Sequence, residues 1–305
     1  MPALQNRFAG RPTESELGCV DGDVLEAVRR SARRMMLNNR MESVSKSTEL
    51  SNRPGTTGGL FRTALLAVFV PVWTAIWGSW CMVAGWLKSP PLFRFGIRKW
   101  GSGILWVGGV TLDITRPACV DKRAFVFVSN HQSALDIPIL VTACAPDFDV
   151  RFMAKESLFK LPFLGWGIAG NGFIPIRREN ARHAANTFRD IAAKNSADYS
   201  YIVFPEGTRS DDGHLREFKR GAIALVSQLN RPLVPVSIID ACRANPKGKW
   251  IVRPGTIRVV FHDPVAADLS LYGGDERAMR DAVTAKLFEA TASVLPEDQR
   301  PVTAN

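Results

Sequence analysis

Phe125-Val126-Phe127-Val128-Ser129-Asn130-His131-Gln132-Ser133-Ala134-Leu135-Asp136 is the stretch on which the fold turns. Its first five residues, rich in Val and Phe, suit a buried strand. The polar residues that follow suit a turn. Residues 136–144 then read as a helix with Pro138 in its first turn. Working outward, the alternation continues. Val110–Thr115 reads as a strand, and so do 150–154, 173–177, 201–204, 233–239 and 256–262. Helices are expected over 156–169, 181–195, 217–229 and 275–294. Strands alternating with helices predict an α/β fold, here a mixed sheet flanked by helices. The domain expected to carry chemistry runs over 108–297, with 298–305 as a short tail.

Upstream the composition changes. Thr63 to Leu87 is an uncharged run of 25 residues between Arg62 and Lys88. As a helix it is about 37 Å long, against a hydrocarbon core of about 30 Å. Trp73, Trp77, Trp80 and Trp86 fit an interfacial aromatic belt, and Pro71 is expected to kink the helix. Residues 91–107 read as a second helix, basic at Arg94, Arg98 and Lys99. Residues 60–107 are therefore expected to be a membrane-associated helical pair. Basic residues are denser after the apolar run than before it, which puts the C-terminal bulk on the cytoplasmic side. Residues 1–59 are polar, with Arg-Pro pairs at 11–12 and 53–54. They read as a disordered basic tail, or else as a basic helix lying on anionic lipid over 22–39.

The formal net charge of +10 favours anionic partners: nucleic acid, an acidic membrane surface or phosphorylated substrates. No nucleic-acid module is visible, so nucleic acid is not expected as a partner. Five cysteines without a C-x-x-C pair, and four histidines without ligand spacing, argue against a disulfide framework and against a metal site. The G-x-G-x-x-G, P-loop and G-x-S-x-G signatures are missing from the sequence.

His131 follows a buried strand, where open α/β sheets place ligands. Asp136, five residues on, can fold back to the imidazole and fix its tautomer, leaving the other nitrogen free to take a proton. Ser133-x-x-Asp136 equally fits a helix cap. Ile174-Pro175-Ile176 ends in Arg177 and Arg178, either a solvated strand end or an anion site. Phe204-Pro205-Glu206-Gly207-Thr208-Arg209-Ser210 reads as a tight loop whose amides point at an anion and whose Arg209 can bind phosphate bidentately, or as a charged turn. Pro235 lies in a strand and suits packing.

Taken together and in this order, these blocks resemble the glycerolipid acyltransferase family, and within it the bacterial 1-acylglycerol-3-phosphate acyltransferases. N-H-x-x-x-x-D matches Asn130, His131 and Asp136. G-x-I-x-I-x-R matches Gly172, Ile174, Ile176 and Arg178, with Pro175 where the family often has a bulkier apolar residue. F-P-E-G-T-R-S matches Phe204 through Ser210, and Pro235 answers the fourth block. Met153 to Leu158 resembles the family's lysine-bearing segment, with Lys155. The resemblance runs from about 60 to 265.

It implies acyl transfer from acyl carrier protein or coenzyme A thioesters, as co-substrates and without a cofactor, to the sn-2 hydroxyl of 1-acylglycerol-3-phosphate. The product would be phosphatidic acid. His131 would be the base and Asp136 its orienting partner. Arg178, Arg209 and Lys155 would hold the phosphate, and Glu206 would orient glycerol hydroxyls. Apart from the resemblance, the tight loop's geometry suggests that amides of Glu206, Gly207 and Thr208 face the oxyanion. The implied setting is a bacterial inner membrane with the catalytic domain facing the cytoplasm. The competing expectations are another lysolipid acceptor, such as a lyso-ornithine lipid, and a non-catalytic lipid-binding adaptor on the same fold.

Overall fold

A computed structural model describes residues 56–120, 124–176, 199–229, 231–249 and 251–302. Most of the expected N-terminal tail, the expected 181–195 helix and Arg178 lie outside the described residues. The uncharged run is one helix, α1 (Thr56–Trp86), which passes through Pro71. It begins four residues before the boundary expected at residue 60. α2 (Pro90–Gly108) follows after a three-residue turn and is closed by Gly109 at φ +68°. There the left-handed backbone favours glycine.

The two helices form an antiparallel hairpin. Trp73 Nε1 donates to Trp100 O (3.1 Å), Trp80 Nε1 to Leu92 O (2.9 Å) and Trp100 Nε1 to Thr74 Oγ1 (3.0 Å). Gly96 and Gly103 make room for the Trp80 and Trp73 rings, since a Cβ at either glycine would overlap the indole. Two of the four tryptophans read as an interfacial belt, Trp73 and Trp80, thus bond across the hairpin. An indole N–H in an apolar setting needs an acceptor, and α2 supplies carbonyls. Trp86 stays 81% exposed. On the outer face of α1, Val68, Val72 and Ile76 are exposed as well. One helix, over Arg62–Trp86, is long and apolar enough to cross a membrane among the described residues.

Next come β1 (Val110–Thr115), β2 (Val126–Ser129), α3 (Asp136–Cys144) and β3 (Val150–Lys155). The helix expected over 156–169 is broken into a 3-10 turn (Glu156–Lys160) and α4 (Leu164–Ala169). Pro162 between them donates no backbone hydrogen bond, and Phe163 takes φ +61°. The remaining elements are β4 (Ile174–Ile176), β5 (Ser200–Val203), α5 (Arg220–Ser227), β6 (Leu233–Ile239), α6 (Ala241–Ala244), β7 (Gly255–Phe261) and α7 (Glu276–Ser293).

The seven strands form one sheet in the order β1-β7-β6-β2-β5-β3-β4. Only β6 and β7 pair antiparallel, so the sheet is mixed, as expected. β6, β2 and β5 occupy its centre and are buried throughout, as a strand covered on both faces must be. Alternation along β2 divides the core. Phe125 and Phe127 face a cluster shared with Phe93, Ile97 and Ile139 of α2 and α3. Val126 and Val128 face a cluster shared with Ile223 of α5 and with Val283 and Leu287 of α7. The helical hairpin therefore belongs to one face of the sheet and α7 to the other. Arg151, 1% exposed, locks the hairpin to the sheet, its guanidinium lying 4.0 Å from the Phe93 ring and 4.2 Å from that of Tyr199. The chain end read as a tail from residue 298 is in part packed, with Gln299 buried.

Candidate active site

β6, β2, β5, β3 and β4 run parallel, so their carboxyl ends share one edge of the sheet. His131 follows β2 at that edge, Lys155 ends β3 and the Glu206–Arg209 loop follows β5. β4 ends there at Ile176, two residues before Arg178. Asn130 closes the end of β2 by imitating a strand residue. Its Nδ2 donates to Ile238 O and its Oδ1 accepts from Ile238 N, both at 2.8 Å.

His131 Nδ1 lies 2.7 Å from Asp136 Oδ2. The same oxygen accepts the backbone N–H groups of Gln132 (2.6 Å) and Ser133 (2.8 Å). Asp136 has no solvent exposure, and its other oxygen, Oδ1, is buried without a hydrogen-bond partner. One carboxylate oxygen therefore both orients the imidazole and ties down the turn carrying it. The capping alternative is half realised. Asp136 reaches back to Ser133 N, but Ser133 Oγ accepts from Leu135 N at 3.1 Å, and the residue before the helix makes no side-chain cap bond. With Nδ1–H donating to the carboxylate, the imidazole has its lone pair on Nε2.

Phe204 stacks on the imidazole, ring centres 4.1 Å apart and planes 19° from parallel. Phe204 also begins a turn in which Gly207 N donates to Phe204 O at 3.1 Å. Gly207 sits at φ +74°, which a glycine adopts without strain. The amide of Gly207 is thus used within the turn. Glu206 stands in the same loop. Its side chain turns inward, is buried, and Oε1 accepts the backbone N–H of His131 at 2.8 Å. Glu206 Oε2 has no partner, and burial pushes the carboxyl up to about 8. Here the Glu206 side chain braces the backbone of His131 from behind. A backbone donor on a neighbouring strand's loop is a contact that spacing does not reveal.

Further support comes from long-range contacts that the sequence blocks do not announce. Ser210 N donates to His131 O at 2.8 Å. Gln132 Nε2 donates to Gly213 O (2.7 Å) and Gln299 Oε1 (3.3 Å), and Gln299 Nε2 to Asp240 Oδ1 (2.7 Å). Thr208 and Arg209 are half-buried, and the Arg209 carbonyl accepts from Lys247 Nζ at 2.9 Å.

His131 borders a cavity of about 190 Å³ whose walls are almost wholly apolar. Trp77 and Cys81 of α1, Phe93 and Ile97 of α2, and Leu164 and Ile168 of α4 contribute, and Lys155 stands on its lining. A reactive imidazole thus faces a hydrocarbon-lined space that the helical hairpin helps to build.

Similarity to known proteins bears on what such a site does. The acyltransferase family profile matches residues 112–239. The chain is 28% identical over 250 residues to a 1-acyl-sn-glycerol-3-phosphate acyltransferase of Pseudomonas aeruginosa, covering 78% of this chain and 93% of that one. It is 31% identical over 166 residues to a chloroplastic enzyme of the same name from Brassica napus. That match spans 54% of this chain and 46% of the plant protein, so about half of the plant protein's length is matched. Among solved structures, the lysophosphatidic acid acyltransferase PlsC of Thermotoga maritima superposes with a TM-score of 0.62 at 26% identity, covering 77% of this chain and 96% of that one. The chain thus resembles the acyltransferase family over residues 112–239. The resemblance to the 1-acyl-sn-glycerol-3-phosphate acyltransferases extends from the sequence blocks to the fold.

Proposed function

We propose that this protein is a membrane-bound 1-acyl-sn-glycerol-3-phosphate acyltransferase that makes phosphatidic acid. The observation that carries the reading is the His131–Asp136 pair on the wall of an apolar cavity, at the sheet edge where Lys155 and the Arg209 loop also stand. In this reading the acyl chain of the thioester lies in the cavity. Nε2 of His131 takes the proton of the sn-2 hydroxyl, and the hydroxyl oxygen attacks the thioester carbonyl. The C–S bond breaks as the new ester forms, and the imidazolium returns its proton to the leaving thiolate. Asp136 stabilises that imidazolium. The donor is an acyl carrier protein or coenzyme A thioester. Lys155 and Arg209, with Arg178, hold the acceptor phosphate. The apolar α1 helix places the enzyme in the membrane, with the basic residues that follow it on the cytoplasmic side.

The test uses purified protein with 1-acylglycerol-3-phosphate and both donors, with phosphatidic acid as the readout. His131→Ala should lower turnover by about 10²- to 10⁴-fold, the range typical for losing a general base. It should leave the unfolding temperature nearly unchanged. A variant retaining a tenth of wild-type turnover refutes the assignment. Turnover of a lyso-ornithine lipid above that of 1-acylglycerol-3-phosphate would reassign the acceptor.

A further inference from the structure

A second apolar surface stands beside the hairpin, on the turn that divides the 3-10 segment from α4. Leu161, Phe163 and Trp166 are 46%, 41% and 51% exposed. The turn is also strained. Phe163 takes φ +61° and ψ −57°, and Leu164 N donates to Pro162 O at 2.6 Å. That is a γ-turn of the rare positive-φ kind, unusual for an aromatic residue. Strain that persists at an exposed aromatic residue points to a function for its placement.

The turn is fixed against α1 by backbone contact. A Cβ on Gly78 would lie 2.7 Å from Phe163 O, and one on Gly167 would lie 2.8 Å from Gly78 O. Asn171 Nδ2 donates to both Cys81 O (2.9 Å) and Gly167 O (2.7 Å). Met82, one turn on from Gly78, is exposed on α1. The apolar surface of the turn therefore adjoins that of the apolar helix. Its other side, through Leu158, Leu164 and Ile168, lines the cavity at His131. Lys155 and Lys160 are exposed on the same segment.

We infer that the Leu161–Trp166 turn inserts into the headgroup–acyl boundary of an anionic bilayer beside α1, so that this wall of the cavity stands at the membrane surface. The inference rests on the membrane reading proposed above. Exposed Trp and Phe flanked by lysines match the chemistry of that boundary, where rings settle at headgroup depth and lysines meet anionic lipid.

The test places the photoreactive residue p-benzoylphenylalanine, one position at a time, at Ile76, Phe163, Trp166 and Glu289. Glu289 is exposed on α7, behind the other face of the sheet. Full-length enzyme is reconstituted in phosphatidylcholine–phosphatidylglycerol vesicles, irradiated, and analysed for lipid adducts by mass spectrometry. Positions 76, 163 and 166 should give adducts at roughly tenfold or more the yield of position 289, as expected for side chains within the acyl boundary. Adducts at 76 with 163 and 166 at the level of 289 would overturn the inference while leaving the membrane reading intact. Background yield at all four positions would remove the membrane reading, and this inference with it.

Discussion

Replacing Asp136 by Asn and by Ala should have sharply different consequences, because one oxygen does most of the work. Oδ2 accepts from His131 Nδ1, Gln132 N and Ser133 N, whereas Oδ1 is buried without a partner. In Asp136→Asn the amide oxygen can take the Oδ2 place and keep all three donors, with the NH₂ group in the unpartnered Oδ1 place. The tautomer of His131 then survives and the negative charge is lost. Hydrogen bonds to a charged group contribute about 1.5–3 kcal/mol, against about 0.5–1.5 for neutral ones. Loss of that charge should therefore slow transfer by roughly five- to fifteenfold, where each 1.4 kcal/mol is a factor of ten. Asp136→Ala leaves three buried donors without an acceptor. At about 1–3 kcal/mol each, that is roughly 3–9 kcal/mol, against about 1–3 for the single orphaned NH₂ of Asn. For a domain of this size 1 kcal/mol moves the unfolding temperature by about 2–4 °C. The Ala variant should thus unfold at least about 5 °C below the Asn variant, if it folds. Thermal unfolding by tryptophan fluorescence in detergent gives the first quantity, and steady-state transfer of a labelled acyl group gives the second. Equal unfolding temperatures for the two variants would refute the three-donor argument. Wild-type turnover in Asp136→Asn would refute the use of the charge.

Glu206→Gln should change how stability depends on pH. Burial raises the Glu206 carboxyl from 4.5 to about 8, so the folded state holds a proton that the unfolded chain releases. The stability gained from that proton is complete below about 4.5 and is lost as pH rises toward 8, at up to about 1.4 kcal/mol per pH unit. The Gln variant should lack this slope, which denaturant titrations at pH 5, 6.5 and 8 will measure. Ile168→Trp should fill part of the cavity and shift donor preference toward shorter acyl thioesters, read from turnover across a chain-length series. Lys155→Ala and Arg209→Ala should each raise the KM for 1-acylglycerol-3-phosphate several-fold, and much less for monoacylglycerol, which has no phosphate. Equal effects on both acceptors would make these two residues structural.

Features set by periodicity and local chemistry were legible in the sequence. Runs such as 233–239, apolar but for Ser237, predicted a strand, and β6 is that strand. The uncharged run predicted α1, and the pairing of His131 with Asp136 was legible because both ends of the contact lie within five residues. Long-range partners were hidden. Nothing in Phe204-Pro205-Glu206 announces that the ring stacks on His131 or that the carboxylate turns inward to its backbone, since both contacts depend on β5 lying directly beside β2. The break in the 156–169 helix falls at Pro162, a residue that ends a helix at the position before it. Gln299 carries no warning of its role because a polar residue near the chain end reads as solvated, whereas here it satisfies Gln132 and Asp240.

The same physics explains why the site sits where it does. Five parallel strands bring their carboxyl ends to one edge, so loops distant in the chain become neighbours through the sheet alone. The proposed hydroxyl chemistry needs a base held in a fixed direction, and a buried carboxylate tied down by backbone donors holds the imidazole so. The acyl group needs a dry, apolar space, which the edge of a sheet alone does not provide. The helical hairpin closes that space with Trp77, Cys81, Phe93 and Ile97, and it is held to the sheet through Arg151 and Asn171. An apolar helix outside a soluble sheet would be a liability in water. Here one side of it walls the cavity and the other is bare, so a single element both completes the pocket and offers a bilayer its apolar surface. Loosening that junction, with His131 and Asp136 untouched, should therefore impair transfer of a long acyl chain more than that of a short one.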